Sequence, residues 1–396
     1  MNAPLLLPGS RIRLPIADGT LQDFVLSAPR EFARKQNAVL NRVAFAAAHV
    51  VADPLSASDP WLEAGIDWDR TIAFRRHLWG LGLGVAEAMD TAQRGMGMDW
   101  ANSLELIRRS VEASRDIPGA RIASGAGTDQ LAVVPGLTVD QVIAAYEEQC
   151  AAVEAAGSPI ILMASRALAA CATSPDDYLR VYDRILRQVK APVVIHWLGE
   201  MFDPALTGYW GSADHSHAMD TALAVIQANA AKVDGVKISL LEKDKEIAMR
   251  RRLPANVRMY TGDDFNYAEL IAGDTHGYSD ALLGIFDAIA PAASSALAAL
   301  ARGDDAQFHE ILAPTVPLSR HIFRAPTRFY KTGVVFMAWL NGHQDHFVMV
   351  GGQQSARSII HCAEIFRLAD RAGLLRDPEL ALSRMRHWLN VHGIMT

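Results

Sequence analysis

Cysteine is scarce: Cys150, Cys171 and Cys362 are the only three in 396 residues, and they stand far apart. That spacing argues against a disulfide framework or a Cys-x-x-Cys metal site, and fits a reducing compartment, the cytoplasm. Long apolar runs are missing as well, since no window approaches the roughly 18 consecutive apolar residues of a membrane helix. The opening MNAPLLLPGSR has an apolar run too short for a signal peptide, with no basic segment before it. Charge of one sign is also lacking. The net charge of −6 is spread over interspersed signs, so neither nucleic acid nor a membrane surface is an expected partner. What is present is a chain with 50% hydrophobic residues, long enough for one large domain with appendages or for two domains.

The first 41 residues differ from the rest. RIRLPIADGTLQDFVLS reads as two short strands around Asp18-Gly19, an added hairpin in an N-terminal extension. From Arg42 a new rhythm begins, with short apolar runs at 42–51, 81–88, 120–127, 159–165, 192–198, 233–239, 257–263 and 279–285. Between them lie amphipathic stretches such as VDQVIAAYEEQCAAVEAAG and PDDYLRVYDRILRQV, with helical spacing, Asp or Ser at N-caps and Gly at stops. Strands alternating with helices predict a parallel sheet, and the count predicts a closed (β/α)8 TIM barrel over 42–290. A doubly wound open sheet is the alternative, but no GxGxxG follows the first strand. Beyond Pro291 strand signals stop, and residues 291–396 read as a helical region packed on the barrel or on a neighbouring subunit.

Inside VDGVKISLLEKD one residue breaks the apolar pattern: Lys237. Lysine is seldom buried unpaired, because desolvating an ammonium is costly. Either the amine snorkels to water from an edge position, or it sits in a dry pocket where a lowered pKa makes it a nucleophile. Its place at the carboxyl end of the sixth barrel strand favours the second reading, since barrel enzymes keep their catalytic groups there.

The succession VDGVKIS, MYTGDDF, THGYSDALLG and then Pro291 with its helical tail resembles the Schiff-base barrels typified by dihydrodipicolinate synthase and N-acetylneuraminate lyase. The resemblance runs from about Arg42 to about Gly342, and RFYKTGVVFMAWLNG is similar to that family's late lysine-containing helix. It implies a class I, metal-independent aldolase, lyase or related dehydratase with Lys237 as nucleophile, no cofactor, and a homo-oligomer, dimer or tetramer. Two departures mark a divergent branch. Where the family has G-T-T-G-E, whose hydroxyls and amides hold a keto-acid carboxylate, this chain has EAMDTAQRG; where it has a tyrosine in Y-N-x-P, this chain has His196 in PVVIHWLG.

His196 is therefore the candidate acid/base, as imidazole titrates near neutrality. Asp90, Thr91, Gln93 and Arg94 are candidate substrate contacts in the loop after the second strand. Asp90 there would repel a carboxylate and accept from hydroxyls, which points to a hydroxylated keto compound, keto acid or keto sugar, although Arg94 could restore an anion site. Thr128, Asp129 and Gln130 after the third strand, Ser165 and Arg166 after the fourth, Asp263 and Asp264 after the seventh, and His276 before the eighth complete the expected rim. A structural alternative pairs Lys237 with Asp263 or Asp264. His196 with His215 and His217 of DHSH, Asp214 nearby and acidic rim residues would suit a metal-dependent aldolase or isomerase, and His49 is a separate candidate ligand, although an N-cap with exposed histidines explains DHSH as well. A third alternative is a non-catalytic sugar-binding barrel.

Overall fold

The computed structural model describes residues 10–32 and 39–395. The first nine residues, on which the reading of the N-terminus falls, lie outside them. Strands β1 (Arg11–Pro15) and β2 (Leu21–Val25) pair antiparallel as the predicted hairpin. The turn is fixed by Gly19 at φ +83° and by Asp18 Oδ1, which accepts from the Thr20 amide at 2.9 Å.

Eight parallel strands then close into a barrel: β3 (Ala44–Ala47), β4 (Gly84–Glu87), β5 (Ile122–Ala126), β6 (Ile160–Leu162), β7 (Val193–Leu198), β8 (Val233–Ser239), β9 (Arg258–Thr261) and β10 (Asp280–Leu283). Closure is the pairing of β10 with β3, Ala281 opposite Ala44. Each strand falls inside its predicted run but most are shorter. In the first run, only Ala44–Ala47 joins the ladder, while Ala48–Val51 continue as buried loop towards the mouth. Apolar composition reports burial, and a buried loop reads like a strand.

Side chains alternate across the barrel wall. Ile195, Trp197, Val236 and Ile238 belong to the core shared with the outer helices, whereas Phe45, Val194, Tyr260 and Leu282 fill the barrel interior. Two glycines make room for the interior aromatics. A Cβ at Gly84 would stand 2.5 Å from the Phe45 ring, and one at Gly235 2.5 Å from the Tyr260 ring.

The outer helices start and stop as the sequence dictates. Thr138 and Gln141 form a capping box on the helix Val139–Ala156, which ends at Gly157 with φ +87°. After the barrel, the chain is helical among the described residues, with principal helices Ala290–Ala301, Asp305–Leu312, Val316–Ile322, Tyr330–Leu340, Ile359–Arg371 and Pro378–Val391. The N-terminal hairpin docks on this region: Arg367 donates to the carbonyls of Leu14 and Pro15, both at 3.0 Å, and Phe24 packs on Phe366. No helix among the described residues is long and apolar enough to cross a membrane.

Candidate active site

Period-two alternation along β8 turns Gly235, Lys237 and Ser239 into the barrel. Register places Lys237 between His196 of β7 and Tyr260 of β9. Lys237 is only 7% exposed. Among the described residues its Nζ has no hydrogen-bond or ion-pair partner. Burial lowers the affinity of this amine for a proton, against the opposing pull of Asp264 and Asp90. Burial also lifts Asp264 to about 7, against the opposing effects of the Ile285 amide and the Lys237 charge.

The proposed structural pairing of Lys237 is therefore not what the side chains do. Asp263 accepts from the amides of Phe265 at 2.8 Å and Asn266 at 3.0 Å, and from the Asn266 side chain. Asp264 Oδ1 accepts from the Ile285 amide at 2.8 Å. Both carboxylates serve the loops after β9 and β10.

His196 is fully buried, and burial followed by the Lys237 charge pushes its imidazole well below the ordinary range. Its Nε2 lies 3.3 Å from Ser239 Oγ, while Nδ1 has no partner among the described residues. The ring lines a cavity of about 730 Å3 at the carboxyl ends of the strands, together with Asp90, Thr128, Asp129, Arg166 and Asp203. Lys237 itself stands beside the lining rather than in it, one strand beyond His196.

The loop after β4 is wound tightly. Ala88 at φ +52° and Gln93 at φ +62° flank the single turn Asp90–Ala92. Left-handed backbone at such residues costs roughly 1–2 kcal/mol each and tends to persist where a site needs it. Gln93 anchors the loop by donating to the Val350 carbonyl at 2.7 Å, so it faces away from the cavity lining. Asp90 is left half-buried in the lining, and its carboxylate has no hydrogen-bond partner among the described residues. Thr91 Oγ1 meets Tyr330 Oη at 2.8 Å.

Arg94 does not restore an anion site. Its Nε and Nη2 clasp Asp129 at 3.0 and 2.6 Å, Nη1 donates to the carbonyls of Gly125 and Ala88, and Nη2 also reaches Gln149. All five guanidinium donors are committed. Burial alone would raise Asp129, but the charge and hydrogen bonds of Arg94 hold it below its usual value. Gln130 is tied to the Ala145 carbonyl and to Gln149. Thr128 and Ser165 join hydroxyls at 2.6 Å, with Ser165 also capping the helix Arg166–Cys171.

His276 belongs elsewhere. A loop that precedes a strand enters from the opposite barrel face, and His276 is exposed there beside Asp274. In DHSH, Asp214 caps the helix His215–Ala228, His217 is exposed, and His215 lies between Glu200 and Lys245. His49 is buried with Nδ1 2.8 Å from Asp287. Among the described residues no three metal-ligating side chains gather into a site.

Four further residues near the site stand in motifs of the sequence that assigned them no role of their own: Tyr330, Lys331, Ser239 and Gly262. Tyr330 stacks on Phe323 and reaches Thr91 from the first turn of its helix. Lys331 is buried beside it, pushed down to about 8 by burial, and donates to the Arg328 carbonyl. The helix was legible in RFYKTGVVFMAWLNG, but no periodicity says which of its residues reach a mouth built by another part of the chain.

Gly262 is needed for space. A Cβ there would lie 2.2 Å from Ser239 Oγ, 2.7 Å from the Ile238 carbonyl and 2.8 Å from Lys237 Cε. Gly262→Ala therefore displaces the lysine without removing it. We expect turnover to fall about 100-fold and stability by about 1–3 kcal/mol, read from steady-state rates and urea unfolding. An unchanged rate would separate Lys237 from the chemistry.

The fold is shared with solved structures of low sequence identity. A prophage protein of the dihydrodipicolinic acid synthase family from E. coli K12, in complex with pyruvate, is 12% identical with a TM-score of 0.62, over 90% of this chain and 100% of its own. The chloride-inhibited dihydrodipicolinate synthase from Acinetobacter baumannii, also with pyruvate, is 15% identical with a TM-score of 0.61, over 84% and 99%. The synthase from Aquifex aeolicus is 11% identical with a TM-score of 0.59, over 89% and 98%. No curated protein matches the chain. A family model described as "Protein of unknown function (DUF993)" matches residues 12–394. The chain therefore belongs to the DUF993 family and shares its barrel fold with dihydrodipicolinate synthases.

Proposed function

We propose that this protein is a class I aldolase or lyase, or a related dehydratase, which forms an iminium between Lys237 and the ketone of a hydroxylated keto compound. The observation that carries this reading is a buried lysine, free of any ion pair, set beside a neutral buried imidazole at the carboxyl ends of barrel strands. The fold adds support, since two of the similar structures hold pyruvate, a ketone.

In this reading the neutral Nζ adds to the carbonyl carbon, and the carbinolamine loses water to give the iminium. In an aldol substrate, His196 takes the proton of the hydroxyl on the far carbon of the bond to be cleaved. That bond's electron pair then flows into the iminium, leaving an enamine and releasing an aldehyde. Protonation and hydrolysis of the enamine return the ketone and the free amine. Asp90 accepts a substrate hydroxyl. No step calls on a cofactor. The reading includes a cytoplasmic homo-oligomer, which sedimentation would test.

Borohydride reduction with a panel of keto acids and keto sugars, followed by peptide mass spectrometry, tests the assignment. The expected product is a secondary amine at Lys237. Labelling of Lys331 instead, or of no lysine across the panel, would overturn it.

A further inference from the structure

We infer that the substrate is an uncharged hydroxyketone, not a 2-keto acid. The inference rests on the iminium reading above and narrows its substrate class. Five carboxylate side chains line the cavity, those of Glu63, Asp90, Asp99, Asp129 and Asp203, against two guanidiniums, Arg94 and Arg166. Both cations are already matched: Arg94 is clasped by Asp129 with no donor left over, and Arg166 donates through Nε to Asp203. Asp90, which carries no ion pair, is left facing the ligand space.

A carboxylate entering this cavity would trade its hydration for a site of its own sign. Like charges a few ångströms apart in a partly dry pocket cost more than tenfold in binding. A hydroxyl meets the same groups as a donor meeting acceptors, and its desolvation is small beside that of an anion. The outer wall supplies no cation either. It is made by Trp61, Leu62, Leu131 and Val133, with Trp61 80% and Leu62 76% exposed, an apolar rim that a neutral ligand can cover.

Two matched pairs of compounds test this, each differing only in carboxylate against hydroxymethyl: pyruvate with hydroxyacetone, and hydroxypyruvate with dihydroxyacetone. In borohydride trapping at Lys237 the neutral member of each pair should half-saturate at least about tenfold lower. Asp90→Asn should shrink that preference by about tenfold, since it removes the repulsion and keeps the size. Equal or better labelling by the acids overturns the inference, most directly if Arg166→Gln abolishes their advantage. Calorimetric binding of the same four compounds to Lys237→Met protein provides a readout that needs no iminium. If trapping fails altogether, the chemistry proposed for Lys237 falls, and the order of these affinities still decides between neutral and anionic ligands.

Discussion

Lys237→Met is expected to abolish turnover, by about 10,000-fold or more, while leaving the protein at least as stable as the parent. The first half follows from removing the amine to which the proposal assigns the iminium. The second follows from the charge state of a buried amine. Burial lowers the proton affinity of Lys237 in the native state, so the unfolded chain, with an amine near about 10.4, binds a proton first as pH falls. Protonation then favours unfolding. This penalty begins below the unfolded value and grows as pH descends towards the native one. Methionine fills the same space without a charge, and no ion pair is broken, because Nζ has none among the described residues. Asp264 loses the cation that drew it down and stays protonated further above neutrality. Thermal unfolding at pH 7 and pH 10 is the check: the gain from methionine should shrink at the higher pH. A melting temperature lowered by several degrees, or surviving turnover, would mean that this lysine holds the barrel together.

The contrast between what the sequence disclosed and what it withheld has a physical basis. The barrel was legible because eight runs of apolar residues alternate with helical periods, and burial on both faces is what a parallel strand requires. Lys237 was legible for the opposite reason, as a charge placed where burial forbids one. His196 followed from its position at the end of the preceding strand. Arg94 was misread because its type suggests a free anion binder, whereas its donors are spent on Asp129, Gln149 and two carbonyls, contacts spanning up to 55 positions in sequence. His276 was placed on the rim by proximity to a strand, without regard to which end of that strand it precedes. Tyr330 reaches Thr91 across 239 positions, a contact that only the folded C-terminal region can bring about.

His196→Gln should separate the two halves of the proposed reaction. Glutamine keeps a polar side chain near Ser239 but has no basic lone pair to accept the substrate hydroxyl's proton. Amine condensation with a ketone proceeds with help from water, so trapping at Lys237 should slow by no more than about tenfold. Bond cleavage needs a base on the substrate hydroxyl, and multiple-turnover rates should fall about 100- to 10,000-fold. The pH profile assigns the titrations. Because burial and Lys237 keep the imidazole neutral well below its ordinary pKa, the acid limb of kcat/KM is expected to follow the buried Lys237 and Asp264, not His196. The limb should therefore persist in His196→Gln. Asp264→Asn should move it to lower pH, since that carboxylate is the charge that most strongly favours the protonated amine. An acid limb that vanishes with His196 would transfer the titration to the imidazole. A limb that stays where it is in Asp264→Asn would show that the carboxylate does not act on this amine at all.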